Sequence, residues 1–407
     1  MHHKSIEDHN FIHLTWDIVW FGIAWVTVTR FLSVYAIRVG ATPTELGWLT
    51  AGPPLGMLIA SVISVWWRAR FPDSIRAILL PSLLFRFSFL LLALTPLFPT
   101  AYQPLWLIIA VTLPSLPQGI SNIMFMGLLK ETTPQSRMTL LFGRRTLAVN
   151  IALGAGALGF GLMLEQIPYP WNYVAMFGFA FLAAMLSQWH LTNLRPLPEE
   201  ATPAPPPTTQ HQVQPWREPR FRTLTIVSVV SHIAFFAVAP VMALRLVEGL
   251  GAGEGFMAIF SVVELAAAAG VAVFITRIVS RVGNRAMVGA AMLVTVAGAL
   301  VAGTASTLTG ALLAAAFTGG GWSTAEIGLV GYFTETIPTK DAARYTRAYS
   351  QAVWLAIFCA PFIGSTLAEL GVPLGSTLVL GALLRLGAGL FVLDLVPVRR
   401  RVRWVAR

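Results

Sequence analysis

Apolar stretches of about 20 residues, long enough as helices to cross a hydrocarbon core of about 30 Å, recur twelve times along this chain. The first six run Ile12–Ile37, Leu46–Trp67, Ala77–Phe98, Leu105–Leu129, Leu140–Leu164 and Trp171–Leu191. The second six run Leu224–Leu246, Gly255–Ile278, Met287–Gly303, Thr309–Phe333, Ala348–Leu367 and Leu374–Val396. Residues 1–10 are polar and the first stretch lacks a small-residue cleavage site, so it reads as a retained helix, not a signal peptide.

Lys and Arg gather in alternate loops. One set holds Lys4, then Arg68, Arg70 and Arg76, then Lys130, Arg137, Arg144 and Arg145. It continues with Arg195, Arg217, Arg220 and Arg222, then Arg277, Arg281 and Arg285, then Lys340, Arg344 and Arg347, and ends with Arg399, Arg400, Arg401, Arg403 and Arg407. The other set has only Arg38 and Arg245 at helix ends, and carries Glu45, Glu165, Glu248, Glu254 and Glu369. Basic loops stay cytoplasmic, so this alternation predicts twelve spans in the cell inner membrane with both termini in the cytoplasm. A missed or false helix would scramble it. The longest break, residues 194–221, contains Pro203-Ala204-Pro205-Pro206-Pro207, which cannot form a stable helix. It divides the chain into an N-terminal bundle (1–193), a cytoplasmic linker (194–221) and a C-terminal bundle with a basic tail (222–407).

The halves resemble each other. Gly127-Leu-Leu-Lys-Glu131-Thr-Thr-Pro134 parallels Gly331-Tyr-Phe-Thr-Glu335-Thr-Ile-Pro338, and each precedes a basic segment, Arg137-Met-Thr139 or Arg344-Tyr-Thr346. Val39-Gly40-Ala41 likewise matches Leu250-Gly251-Ala252. The predicted fold is therefore all-α, an integral membrane protein of twelve helices in two pseudo-symmetric six-helix bundles.

Composition agrees. Hydrophobic residues make up 56% of the 407 and charged residues 11%, against about 25% charged in an average soluble domain. The single cysteine, Cys359, excludes a disulfide framework and thiolate zinc clusters, and its apolar surroundings predict packing. The formal charge of +10 would suggest nucleic acid in a soluble protein, but its restriction to alternate loops gives it a topological meaning, and no nucleic-acid partner is expected.

Ser280-Arg281-Val282-Gly283-Asn284-Arg285 resembles the Asp-Arg-x-Gly-Arg-Arg loop of the major facilitator superfamily, with Ser280 in place of the aspartate. The first-half copy, Arg68-Ala-Arg70-Phe-Pro-Asp73-Ser-Ile-Arg76, keeps bases and an acid but lacks the glycine. Gly40–Thr42 leading into Leu46-Gly47 resembles the family's first extracellular loop, and the glycine-rich Gly154–Gly161 run is similar to a motif of its proton-linked exporters without the Gly-Pro pair. The resemblance covers essentially the whole chain. It implies a cytoplasmic gating loop in which Arg281, Arg285, Arg70 and Arg76 pair with acids at helix ends and Gly283 permits the turn. It also implies that the first, fourth, seventh and tenth helices surround a central cavity.

Ionisable groups in hydrocarbon cost about 3 kcal/mol or more, so those within spans are the candidate site. Glu264, near the middle of the eighth span, reads as a proton-coupling carboxylate or a substrate contact, because desolvation penalises the charged form of an acid; its alternative is an ion pair locking two helices. Glu326 follows Gly319-Gly320-Gly321, and its repeat partner Asn122 follows Pro114 and Pro117. Both are expected to face the cavity, the alternative being packing glycines beside a satisfied acid. Asp17 and Arg30 lie 13 residues apart in the first span, about 140° around and about 20 Å along the axis, too far to pair. Asp17 reads as a third proton-coupling acid or as a group that snorkels or meets a loop base; Arg30 reads as an anion contact. Arg86 and Arg385 read as structural ion pairs. His13 lies near a span end. His232 is a proton relay or a hydrogen-bonding wall residue, and Trp20, Trp25 and Trp322 are candidate aromatic wall.

No Gly-x-x-x-x-Gly-Lys-Ser/Thr, His-Glu-x-x-His or Gly-x-Ser-x-Gly run is present, so no enzyme, metal or cofactor is expected. The expected function is secondary transport of a small organic solute by a monomer, with protons as coupling ion. A multidrug or lipid exporter or flippase on the same fold is the alternative within transport; a membrane enzyme or sensor is the alternative outside it. In a Cys359→Ser background, an impermeant thiol reagent applied to intact cells should label Ser306→Cys and miss Ala69→Cys. Equal labelling of both would overturn the alternation.

Overall fold

The computed structural model describes residues 2–197, 214–338 and 341–394. Lys340, the bases beyond residue 394 and residues 198–213 of the linker lie outside these. Twelve long helices run through the described residues: α1 (Ile6–Arg38), α2 (Pro43–Arg68), α3 (Ser74–Ala93), α4 (Thr100–Thr132), α5 (Gln135–Gln166), α6 (Trp171–Thr192), α7 (Pro219–Gly249), α8 (Glu254–Ala272), α9 (Asn284–Thr304), α10 (Leu308–Thr336), α11 (Arg344–Glu369) and α12 (Leu374–Asp394). Eleven are long and apolar enough to cross a membrane. The twelfth, α10, has 29 residues, but glycines, Trp322, Ser323, Thr324 and Glu326 dilute its apolar character. No strand occurs among the described residues.

The spans are less regular than their hydropathy. A π-helical turn at Thr27–Phe31 interrupts α1, and another at Arg245–Gly249 ends α7. The expected continuous span Leu224–Leu246 breaks at Ala237–Val238, just before Pro240, and Ala348–Leu367 breaks at Ala360, before Pro361. Proline lacks the amide that would continue the helical ladder. The eighth span ends at Ala272, and a separate helix, Ile275–Val282, follows a turn at 273–274 that no proline marks.

Helices α1–α6 pack into one bundle and α7–α12 into a second; α5 meets α8 and α2 meets α11 between them. Close packing rests on small residues, because lipid supplies no hydrophobic drive between helices. A Cβ on Gly56 would collide with Ser115 on α4, and one on Gly119 with Ala60 on α2. Gly319 and Gly321 sit against the backbones of α8 and α9, at Glu264 and Thr295. The Gly319–Gly321 run thus packs three helices together.

The internal repeat has a mechanical reason. Glu131, at the end of α4, accepts from the amides of Ser74 (2.8 Å) and Ile75 (3.3 Å) at the start of α3, while Arg68 stands 3.8 Å from the same carboxylate. Glu335, at the end of α10, accepts from Asn284 Nδ2 (2.6 Å) at the start of α9. One turn earlier, Gly127 and Gly331 clear the space that Ser74 and Asn284 occupy. Gly–x–x–x–Glu therefore clamps one helix end onto the next helix start in both halves. The second match is conformational: Gly40 and Gly251 take φ of +85° and +71°, a region open to glycine at little cost.

Glu131→Ala should remove two backbone caps and an ion pair, costing about 1–3 kcal/mol, and should lower the unfolding temperature of the purified protein more than Glu335→Ala does. Equal shifts would show that the clamp geometry does not set stability.

Candidate functional site

The end of the molecule that carries Glu45, Glu165, Glu254 and Glu369, called here the acid end, is closed across the bundles. Arg38 Nε lies 3.0 Å from Glu254 Oε1, and the Tyr173 hydroxyl donates to the same oxygen at 3.0 Å. The Thr44 amide donates to Glu369 at 3.1 Å, Trp48 stands edge-on to Phe362 at 4.9 Å, and Gly161 lets Ala258 approach the α5 backbone. Toward the opposite, basic end Leu147 and Ile151 on α5 and Val273 and Phe274 after α8 are exposed, and Gln351 of α11 donates to Ser61 of α2 at 3.3 Å. The two bundles are thus latched to each other at the acid end by polar and aromatic contacts.

In mid-span, Arg30 and Glu264 form an ion pair between the bundles. Arg30 is set by the π-helical turn of α1, a distortion that in other helices often marks a functional position. Glu264 is fixed where the α8 backbone lies against Gly319 of α10. Both side chains keep partial exposure, 25% and 15%, so the pair is not fully sealed in a core. Sequence spacing separated Asp17 from Arg30 correctly, but it had no means of joining Arg30 to a residue 234 positions away.

Asn122 and Glu326, the repeat-related polar residues, are both exposed in the middle of their helices. Asn122 Nδ2 points to Met57 Sδ at 4.0 Å, a weak contact. Trp322 stands one turn before Glu326, and among the described residues no cation forms an ion pair with that carboxylate. Trp322 belongs to an aromatic wall: it stacks on Phe235 at 4.0 Å and meets His232 (5.2 Å) and Phe236 (5.4 Å) edge-on. His232 is buried, with Nδ1 2.7 Å from the Ser228 carbonyl oxygen. Trp25 packs on Phe21 and Phe85 within the first bundle.

Asp17 lies elsewhere. It is 4% exposed and accepts from Arg145 (3.1 Å) and Ser187 (2.7 Å), with Arg86 at 3.6 Å. Four helices, α1, α3, α5 and α6, meet at this carboxylate. Arg145, counted above as a loop base, is therefore an interior group of α5. Arg86 has the acidic partner expected of it. Arg385 does not: it is equally buried, donates to the carbonyls of Thr295 and Phe235 at 3.0 Å, lies 4.6 Å from the Phe235 ring, and has no carboxylate partner among the described residues. Two carbonyl oxygens, that of Phe235 beside the break in α7 and that of Thr295 within α9, take the place of an acid.

At the basic loops Gly283 takes φ of +81°, as a tight turn requires. Arg76 pairs with Asp73 at 3.4 Å and Arg70 lies over Trp66, whereas Arg281 and Arg285 form no ion pair among the described residues. Cys359, expected to pack, is exposed on α11. Sequence reading missed the acid-end latch of Arg38, Glu254 and Tyr173, and the His13–His190 contact at 2.9 Å between α1 and α6. The excess of acids in those loops was the only signal for the first; nothing signalled the second. No group of three or more metal-binding side chains occurs among the described residues.

A family model, the Major Facilitator Superfamily, matches residues 11–361. No curated protein sequence matches. Among solved structures, a D-xylose-proton symporter is 15% identical with a TM-score of 0.73, covering 96% of this chain and 98% of that one. The nucleoside transporter NupG is 10% identical with a TM-score of 0.69 (96% and 98% covered), and an auto-inhibited POT family peptide transporter is 10% identical with a TM-score of 0.72 (94% and 96% covered).

Breaking a buried ion pair on one side typically costs about 3–5 kcal/mol. Asp17→Asn, which strands two guanidinium groups, should sharply lower the unfolding temperature and yield. Arg385→Met, which removes a cation that has no acid partner, should be milder. The reverse order would show that Asp17 is not the organising charge.

Proposed function

The chain belongs to the Major Facilitator Superfamily, and on that premise we propose that it is a secondary active transporter that moves a small organic solute by alternating access, with protons as the coupling ion. The observation that carries this reading is the Arg30–Glu264 pair, which joins the two bundles in mid-span and keeps partial exposure.

An ionised Glu264 holds Arg30 and, through it, helps hold α1 to α8. A proton on Glu264 removes the carboxylate charge and weakens that tie. Arg30 then lacks a counter-charge in a low-dielectric site, where an unpaired cation is costly, and an anionic or strongly polar group of the solute can replace it. In this reading exposed Asn122 and Glu326, on α4 and α10, supply hydrogen bonds to the solute, and Trp322 supplies an apolar wall. Closure of the basic end would be matched by release of the acid-end contacts of Arg38 and Thr44 with Glu254 and Glu369. Those contacts are few, polar and partly exposed, as a reversible gate needs. In this reading the basic end faces the cytoplasm and the latched acid end is a closed gate.

Labelled pentoses, nucleosides and dipeptides, the solute classes named for the structural neighbours, form a reasonable first panel. With purified protein in liposomes, a transported member should accumulate down an imposed proton gradient. Glu264→Gln should keep counterflow exchange but lose gradient-driven accumulation, and Glu326→Gln should raise the half-saturating solute concentration. If both variants accumulate solute like the wild type at every pH, proton coupling through these residues is wrong. Turnover of a solute without vectorial movement would sink transport itself.

A further inference from the structure

At the acid end of the second bundle, α7, α9 and α12 leave a crevice of about 610 Å³ lined by Arg245, Gly303, Gly375, Ser376, Val379 and Leu380, among others. Its lining includes none of Arg30, Asn122, Glu264 and Glu326. The corresponding positions of the first half are filled. Aligning α1 with α7 through Gly40 and Gly251, and α3 with α9 and α6 with α12 through their first residues, sets Arg245 against Val34 and Gly303 against Ala93. Gly375, Ser376, Val379 and Leu380 then fall against Asn172, Tyr173, Met176 and Phe177. All six first-half residues are buried, and Tyr173 stacks on Tyr35 with ring centroids 4.1 Å apart. In the second half the large side chains have become glycine, serine and smaller aliphatics, and a buried valine has become an arginine.

That arginine is under-used. Arg245 donates from one terminal nitrogen to the Ala305 carbonyl at 2.8 Å. Its Nε is buried with no partner, and no carboxylate pairs with it among the described residues. Of the two bases at the acid end, Arg38 is engaged by Glu254, so Arg245 is the one with donors to spare. A buried unmet N–H is costly, and a guanidinium matches the oxygens of phosphate and carboxylate. The rest of the crevice is largely apolar. From it Leu380, Leu383 and Leu384, all exposed, continue along α12, and in a bilayer such a stripe lies against acyl chains. A charged donor at the membrane interface above an apolar track suits an amphiphile better than a soluble ion.

We propose that this crevice binds the phosphate of an anionic phospholipid in the leaflet at the acid end, with Arg245 on the phosphate and an acyl chain along Val379 and Leu380. The assignment is independent of the transport mechanism above.

The test adds phosphatidylglycerol, phosphatidylcholine or inorganic phosphate to the intact protein in detergent, reading thermal stability and counting bound lipid by native mass spectrometry. Phosphatidylglycerol should bind and stabilise, phosphatidylcholine should do so weakly, and inorganic phosphate should do nothing. Arg245→Gln should weaken phosphatidylglycerol binding by about tenfold or more. Ser376→Tyr, which restores the side chain of the first half and leaves Arg245 in place, should abolish the same binding event while the protein remains folded. Undiminished binding in Ser376→Tyr, or no preference for phosphatidylglycerol in the wild type, would overturn the proposal. Equal stabilisation by inorganic phosphate would overturn the lipid assignment in favour of a soluble anion.

Discussion

Hydrocarbon gives a charge or an unpaired polar group nothing to bond to, and every other feature of this molecule is arranged around that constraint. It forces the backbone into helices, and it makes small residues the means by which helices approach. It also dictates that any ionisable side chain inside a span must find a partner on a neighbouring helix. The chain meets the last demand differently in its two halves. In the first bundle Asp17 gathers Arg86, Arg145 and Ser187 from three other helices. In the second, Ser228 takes the position that corresponds to Asp17, and it shares a 2.9 Å hydrogen bond with Tyr349 of α11. Arg385 is satisfied there by carbonyl oxygens instead of an acid.

This contrast separates interactions that build the bundles from those that join them. The Asp17 centre is sealed, multiply bonded and confined to one bundle. The contacts across the seam, Arg30 with Glu264 and Arg38 with Glu254, are single pairs with partial access to solvent. Buried apolar side chains of both bundles also meet at the acid end, and the π-helical turn that carries Arg30 puts local backbone adaptability at the seam.

The repeat also explains where the halves have diverged. The clamps of Glu131 and Glu335 and the left-handed glycines Gly40 and Gly251 are kept in both copies, since each half must turn its chain at the same places. The aromatic plug of Tyr35 and Tyr173 is present only in the first, and the second copy has a hollow with an arginine at its edge. Fold-setting positions are held and the others are free to take on separate tasks.

The sequence alone determined the helices, their number, the halves and the alternation of charge, because each follows from local composition and from the length of a segment against the thickness of a bilayer. It also marked Glu264, Glu326, Asn122 and Arg30 as costly residues in need of a reason. It could not say which of them meet. Partner choice depends on helix rotation and on which helices are neighbours, and no local pattern encodes either. The tertiary structure alone joined Arg30 to Glu264 across 234 positions, moved Arg145 from a loop to a buried centre beside Asp17, and gave Arg385 carbonyl partners. It broke α7 at Ala237–Val238 and α8 at 273–274, where hydropathy runs on unchanged, because hydropathy records how apolar a segment is and not how its backbone bends.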